Sequence, residues 1–350
     1  MHVLVVNAGS SSLKHALVDA AAGELLATGT ERWAPADEPG RHAAALRAAL
    51  ADADAAAVDA VGHRVVHGGS RFEGPALVDA AVRAGIAALV PLAPLHQRAA
   101  LEGIDAVAEA LPGVPQVASF DTAFHATLPP AARTYALPRA WTERWGVRRY
   151  GFHGINVSWC ARRAAECLGP VRSRRLVVCH LGSGCSATAV LDGRSVDTTM
   201  GFTPLEGVPM GTRSGSIDPG LLLWLARAGL SIDELDDGLN HAAGLLGVSG
   251  RSADLREVLA AADAGDEHAA LAFDVFVRGV ARAVAAMTTA LGGLDCLVFT
   301  GGAGEGSQRL RDAVCVRIAH LRDAAEVLVV PAGEELVIAG EAAATLGAVA

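Results

Sequence analysis

Lysine is almost absent from this chain. Lys14 is one of 29 cationic side chains, and arginine supplies the rest. That shortage excludes a Walker A loop, because the G-K-[ST] tripeptide that wraps phosphate in such folds occurs nowhere in the 350 residues. Cysteine is scarce too. Cys160, Cys167, Cys179, Cys185, Cys296 and Cys315 form no C-x-x-C pair and no zinc spacing, and most lie in apolar stretches where a thiol serves as a small core group. A reduced, cytoplasmic protein is the expectation. No G-x-S-x-G frame occurs, which disfavours a serine hydrolase. A basic surplus is missing as well. The net charge of -9 argues against a nucleic-acid partner, although a few local arginines can still attract a small anion. No apolar run has the length of a membrane span, since Leu271 to Leu291 is interrupted by Asp274, Arg278 and Arg282 at helical spacing. Met1-His2-Val3-Leu4 runs directly into a strand without a basic region or cleavage site, so no signal peptide is read.

What remains is 51% hydrophobic and 19% charged, the composition of a compact enzyme, at a length that favours two domains. Val3 to Asp19 reads as a β-branched run, a small-residue turn and a second alternating run, hence a hairpin with a Gly/Ser bend. The pattern returns at Leu176, about half a chain later, the spacing of an internal duplication. A third strand-to-glycine junction follows Asp295. Helical patterns cover Gly40 to Asp54, Asp79 to Val90 and Gly220 to Ala228. A long amphipathic one, Asp266 to Gly292, predicts a buried or interface helix. The final stretch reads as a strand, a turn and a closing helix. Strands and helices alternate, which predicts an α/β fold with helices covering central sheets.

Three groups of residues can do chemistry. The Gly/Ser turns expose backbone N–H groups in a concavity that suits anionic oxygens. Asn7, Ser10, Ser12 and Lys14 supply polar atoms in the first turn; His180, Gly182, Ser183 and Gly184 do so in the second. Either turn alone reads equally well as an ordinary hairpin. The segment from Thr300 through Gly301, Gly302, Ala303 and Gly304 to Glu305 lets a flat ligand lie against backbone. Arg64 and Arg213 stand in glycine-rich frames, where a guanidinium fork fits a carboxylate or phosphoryl group; a structural salt bridge is the alternative for each. His96, His153 and Asp121 complete the set, with Glu334 or Glu335 able to hold Mg²⁺ through water. Histidines in such frames are by default core residues. His63 and His67 lack a third ligand, so no metal is assigned to them.

These motifs resemble the acetate kinase family along nearly the whole chain. The blocks are Asn7 to Lys14, His63 to Gly69, Pro91 to His96, Phe120 to His125, Arg148 to Gly154, His180 to Gly184, Ser195 to Pro219 and Phe299 to Glu305. The resemblance implies the fold of actin, Hsp70 and sugar kinases (ribonuclease H-like), with two duplicated α/β domains and a site in the cleft between them. The implied division is residues 1–149 plus a closing helix at about 336–350 for acyl substrate and phosphate, and residues 150–335 for nucleotide. It also implies reversible ATP-dependent phosphorylation of acetate or propionate, with Mg²⁺ or Mn²⁺, in a homodimer. The alternative is a nucleotide-binding regulator of the same fold with little or no turnover. Carried over by motif, Arg64, Asp121, His153, His180 and Arg213 are catalytic. Arg64, Val66, Leu95, Phe152 and Pro204 contact the acyl substrate. Lys14, Ser10, Ser12, His180 to Gly184 (with Leu181), Asp254, Leu255, Arg256 and Gly301 to Glu305 contact nucleotide, and Asn7 and Glu334 the metal. The chain departs from the family pattern at Ile155-Asn156-Val157, Ser183, Ala303, Gly306 and Gly340-Glu341. These departures bear on nucleotide affinity and nucleoside preference.

Overall fold

The computed structural model describes residues 1–8, 12–32, 44, 58–322 and 324–348. They form two compact units. The first comprises Met1–Ala126, Phe152–Trp159 and Gly333–Ala350; the second comprises Thr127–Gly151 and Cys160–Ala332.

In the first unit, β1 (His2–Ala8), β2 (Ser12–Asp19), β3 (Glu24–Arg32), β4 (Ala60–Val65), β5 (Ala76–Leu77) and β6 (Gln116–Phe120) make a sheet of order β3-β2-β1-β4-β6-β5. β1 pairs antiparallel with β2 and parallel with β4, and β4 pairs parallel with β6. The continuous V-L-V-V run of β1 is explained by burial on both faces. Val3 and Val5 pack with Val337, Ile338 and Ala339 of the closing helix Glu334–Gly347. Leu4 and Val6 point the other way, onto Ala106 and Val107 of the helix Pro94–Ala110. Period-two alternation thus puts one helix on each face.

The second unit contains β7 (Arg175–Leu181), β8 (Cys185–Leu191), β9 (Arg194–Thr198), β10 (Cys296–Thr300) and β11 (Glu326–Val329), ordered β11-β10-β7-β8-β9. β7, β8 and β9 form an antiparallel meander, and β10 and β11 add parallel strands beside β7. Leaving β5 aside, the first unit repeats this order strand for strand. The two Gly/Ser hairpins therefore occupy equivalent places, and the duplication expected from them is present as topology. Each unit is a ribonuclease H-like α/β layer.

The long amphipathic pattern folds as the helix Glu267–Leu291. Asp266 caps it by accepting from the His268 and Ala269 amides, Gly292 ends it at φ 67°, and its apolar stripe, including Phe276, Val280 and Val284, is buried. Asp79 likewise caps the helix Ala80–Ala88, accepting from the Val82 amide at 2.7 Å, and Gly220 to Ala228 forms the helix Pro219–Arg227. The helix expected over Gly40 to Asp54 lies outside the described residues apart from Ala44. Among the described residues no helix is long and apolar enough to cross a membrane. Cys160, Cys179, Cys185 and Cys296 are buried, as apolar contexts suggested, whereas Cys167 is exposed and Cys315 partly so.

The units divide differently from the expected cut after residue 149. Residues 127–151 belong to the second unit because its loops hold them. Arg149 donates to the Thr199 and Met200 carbonyls at 3.0 and 3.1 Å, and the Tyr150 amide bonds the Gly201 carbonyl at 3.1 Å. Residues 152–159 belong to the first unit, where Ile155 enters the core under the closing helix and Trp159 packs against it. That helix begins at Glu334, slightly earlier than expected.

At Gly62 β4 and the closing helix approach closely, since a Cβ there would lie 2.5 Å from Ile338 Cγ2. We expect Gly62→Ala to cost about 1–3 kcal/mol by overpacking. Chemical denaturation measures this, and an unchanged midpoint would refute the packing argument.

Candidate active site

In the first unit the candidate residues gather at the carboxyl ends of the parallel strands, where open α/β sheets hold their ligands. Strand register explains why. Val5 pairs with Gly62 and Gly62 with Val117, so alternation carries Asn7 and Arg64 onto the face beneath the closing helix. Lys14 stands directly opposite Asn7 on β2. Asn7 and Ser12 are partly buried and Lys14 is exposed; Ser10 lies outside the described residues.

Arg64 is fixed by Asp121, which follows β6. Its Nε donates to both carboxylate oxygens at 3.2 Å and Nη2 donates to Oδ2 at 2.7 Å. The carboxylate is almost wholly buried, while the arginine side chain keeps 20% exposure. Asp121 thus occupies one edge of the guanidinium. Burial works against the cation, but Asp121, Glu334 and Glu335 outweigh it and raise the Arg64 pKa. The two glutamates start the closing helix, which brings the candidate metal ligand Glu334 into the field of Arg64.

His153 takes φ 59°, one of two described non-glycine residues in the left-handed region. Such backbone is costly and collects at functional sites. The neighbouring Gly154 amide donates to the Asp121 carbonyl at 2.8 Å, and a Cβ on Gly154 would overlap that oxygen. His153 is therefore held beside Asp121. Of the acyl-pocket candidates here, Val66 is partly buried and Phe152 only 1% exposed, its ring meeting the edge of His67 at 5.5 Å. Leu95 lies in the first turn of the helix Pro94–Ala110.

His63 and His125 are core histidines. His63 donates to Gln116 Oε1 at 2.7 Å and His125 to the Phe152 carbonyl at 2.9 Å; burial pushes both down to about 4. His67 accepts the Gly69 amide at its Nδ1, so the two histidines that share a motif have separate partners.

The second unit presents a cavity of about 910 Å³, within the range of small-molecule sites. Gly182 and Ser183 of the β7–β8 turn, Asp254, Leu255, Arg256, Gly302 and Ala303 line it, joining the second turn, the S-A-D-L-R segment and the glycine loop. Gly182 donates to the Gly184 carbonyl at 3.0 Å, which closes the turn, and His180 stands at the end of β7. β10 runs straight into the helix Gly301–Gly306. Gly301 takes φ 77°, with its would-be Cβ 2.9 Å from the Leu181 carbonyl, so only glycine fits. Glu305 holds this loop, accepting from the amides of Gly301 at 2.8 Å and Ala332 at 3.0 Å; it does not line the cavity, and neither does Gly304. Asp254 caps the helix Leu255–Asp263 and chelates Arg256, whose hydrogen bonds hold its carboxyl down at about 2.

Sequence reasoning missed Thr212, Leu245, Phe276 and Ser307 as lining residues. Thr212 adjoins Arg213 in its motif and was findable. Leu245 and Phe276 carry no signal that separates a ligand wall from ordinary core.

Arg213 is partly buried and has no carboxylate partner among the described residues. Its Nη1 donates to the Pro204 carbonyl at 3.3 Å and approaches Met210 Sδ at 3.8 Å. Desolvation lowers its pKa. A cation held by neutral groups keeps its capacity to pair with an anion.

The acetokinase family model matches residues 40–346. This chain belongs to that family. It is 48% identical to an acetate kinase of Synechococcus sp. over 355 residues, covering 92% of this chain and 88% of that protein. Among solved structures, the Porphyromonas gingivalis acetate kinase superposes with a TM-score of 0.90 at 36% identity over 99% of both chains. A propionate kinase from Francisella tularensis gives 0.91 at 36% identity over 98% and 99%. A ROK hexokinase from Thermus thermophilus shares the fold alone, at TM-score 0.53 and 17% identity.

The buried histidines predict acid sensitivity. Unfolded imidazoles titrate near 6.5, so between that pH and 4 the unfolded chain binds more protons than the native one. The stability contribution is complete above 6.5 and is lost as pH falls, at up to about 1.4 kcal/mol per unit for each group. Thermal denaturation from pH 7.5 to 4.5 should show this slope. A slope unaltered in a His63→Gln/His125→Gln double variant would count against it.

Proposed function

We propose that this acetokinase-family chain transfers the γ-phosphoryl group of ATP to the carboxylate of acetate or propionate, reversibly, giving ADP and an acyl phosphate. The observation that carries the reading is Arg213, a partly buried guanidinium without a carboxylate partner among the described residues. It stands beside the Pro204 carbonyl in the unit that holds the nucleotide-sized cavity.

The chemistry needs little from the protein beyond placement. A carboxylate is already a nucleophile, so no general base is required, and charge spreading over the equatorial phosphoryl oxygens calls for fixed cations. Asp121 locks Arg64 by one edge, and the other edge takes the acyl carboxylate or the transferring group. Arg213 takes the second anionic contact. His153 donates to the transition state, with His180 serving the phosphate side. Val66, Leu95, Phe152 and Pro204 are the apolar candidates for the acyl methyl. The unit with Asn7, Arg64, His153 and Glu334 serves acyl group and metal. The other seats the nucleotide on Leu181 to Ser183, Asp254 to Arg256 and the Gly302 loop, while Lys14, Ser10 and Ser12 address phosphate.

Asn7 and Glu334 suit Mg²⁺ as hard oxygen donors. Among the described residues there is no cluster of three or more metal-ligating side chains, which fits a cation held by one or two protein oxygens together with phosphates and water. Bound there, Mg²⁺ supplies charge neutralisation at the phosphate oxygens. A homodimer is supported by the helix Pro219–Arg227, which buries no residue although Leu223 and Trp224 are 60% and 62% exposed.

Purified protein with ATP, Mg²⁺, acetate and hydroxylamine should yield acetohydroxamate. ATP binding without product from acetate, propionate or butyrate would favour a regulator of the same fold. Arg213→Ala is expected to lower kcat by at least a hundredfold with an unchanged melting temperature; near-normal kcat removes its assigned role.

A further inference from the structure

The segment that carries Pro204 and Arg213 has no regular structure of its own. Between Met200 and Arg213 there is no helix or strand, so side chains must hold the loop in place of a backbone ladder. Three of them do so. The Tyr135 hydroxyl accepts from the Phe202 amide at 2.8 Å and donates to Glu206 Oε2 at 2.5 Å. Arg149 donates to Glu206 Oε1 at 2.7 Å and, through Nη1, to the Thr199 and Met200 carbonyls. Its guanidinium also lies over the Tyr135 ring, 5.3 Å from the centroid.

The packing leaves no room for variation. A Cβ on Gly201 would overlap both Glu206 Oε2 and the Tyr135 hydroxyl. Gly207 takes φ 110°, and its carbonyl accepts from Ser216, which folds the loop back on itself. The Arg149 and Glu206 side chains are 17% and 33% exposed, so their ion pair is partly shielded from solvent screening. Both ends of the loop are thus determined: Glu206 fixes the turn, and two residues earlier the Pro204 carbonyl accepts the Arg213 guanidinium at 3.3 Å.

We propose that Glu206, gripped by Tyr135 and Arg149, is a positioning residue that sets the Arg213 guanidinium through the Pro204 carbonyl. The line of action runs from Tyr135 and Arg149 to the Glu206 carboxylate, along the backbone to Pro204, and across one hydrogen bond to Arg213. None of the three clamp residues needs to touch substrate. The proposal rests on the reading of Arg213 as an anion-binding residue.

A double-mutant cycle tests it. Glu206→Ala should lower kcat at least tenfold in the wild-type background and less than twofold in the Arg213→Ala background, with the KM for ATP within threefold in both. An equal fold-loss in the two backgrounds, or an unchanged kcat in Glu206→Ala, overturns the proposal. Tyr135→Phe removes only the hydroxyl and carries the same comparison if the alanine variant does not fold. Glu206→Gln, which keeps an acceptor for Arg149, should recover part of the loss. Crystal structures provide a readout independent of turnover. The bond from Arg213 to the Pro204 carbonyl should persist in Glu206→Gln and break in Glu206→Ala, and its survival in the latter overturns the clamp. A wild-type enzyme that makes no acyl phosphate overturns the reading of the reaction alone.

Discussion

A guanidinium partly withdrawn from water, with no carboxylate among the described residues to balance it, imposes a condition on everything around it. The groups that meet Arg213 are neutral, the Pro204 carbonyl and the Met210 sulfur, and burial without an acid lowers its pKa. Neutral contacts leave the positive field available to a ligand, whereas an acid would cancel it. Arg64 solves a related problem differently. Asp121 engages one side of its fork and fixes its orientation, and two further glutamates add to the negative field. One arginine is therefore gripped and partly neutralised by an acid, and the other is held by neutral groups alone.

The duplicated topology supplies the stage for both. The same meander followed by two parallel strands appears in each unit, so strand ends recur at equivalent positions. In the first unit those ends carry charged and polar side chains: Asn7, Arg64 and Asp121. In the second they carry backbone and small residues, Gly182 to Gly184 after β7 and Gly301 to Gly304 after β10. Side chains suit a small, highly charged substrate. Exposed backbone suits a large, flat one, because it lets the ligand approach closely without side-chain entropy to lose.

Much of this was legible in the residues themselves. The hairpins, the long capped helix and the strand-end placement of Arg64 and Asp121 follow from period, caps and glycine punctuation, which are local signals. Two kinds of feature were not legible. The compact units depart from a cut after residue 149 because hydrogen bonds tie Arg149 and Tyr150 to Gly201 and its neighbours some fifty residues away, and no local pattern announces such bonds. Glu305 reads as a ligand contact because it ends a glycine-rich motif, and the structure adds that its carboxylate secures two backbone amides. An acid in such a motif reads the same whether it faces the ligand or the loop behind it. The walls formed by Leu245 and Phe276 were invisible for the converse reason, since apolar residues have one sequence signature for core and pocket.

The shortage of lysine has a practical side. Lys14 is the only side-chain amine in the chain; it is exposed, and it stands directly across β1 and β2 from Asn7. Amine-directed chemistry, which scatters over dozens of sites on most enzymes, has a single lysine to find here. A label, a crosslinker or a charge-cancelling adduct on that nitrogen reports on the first Gly/Ser hairpin alone. The molecule thus carries its own single-site probe at the place where the first unit would meet phosphate.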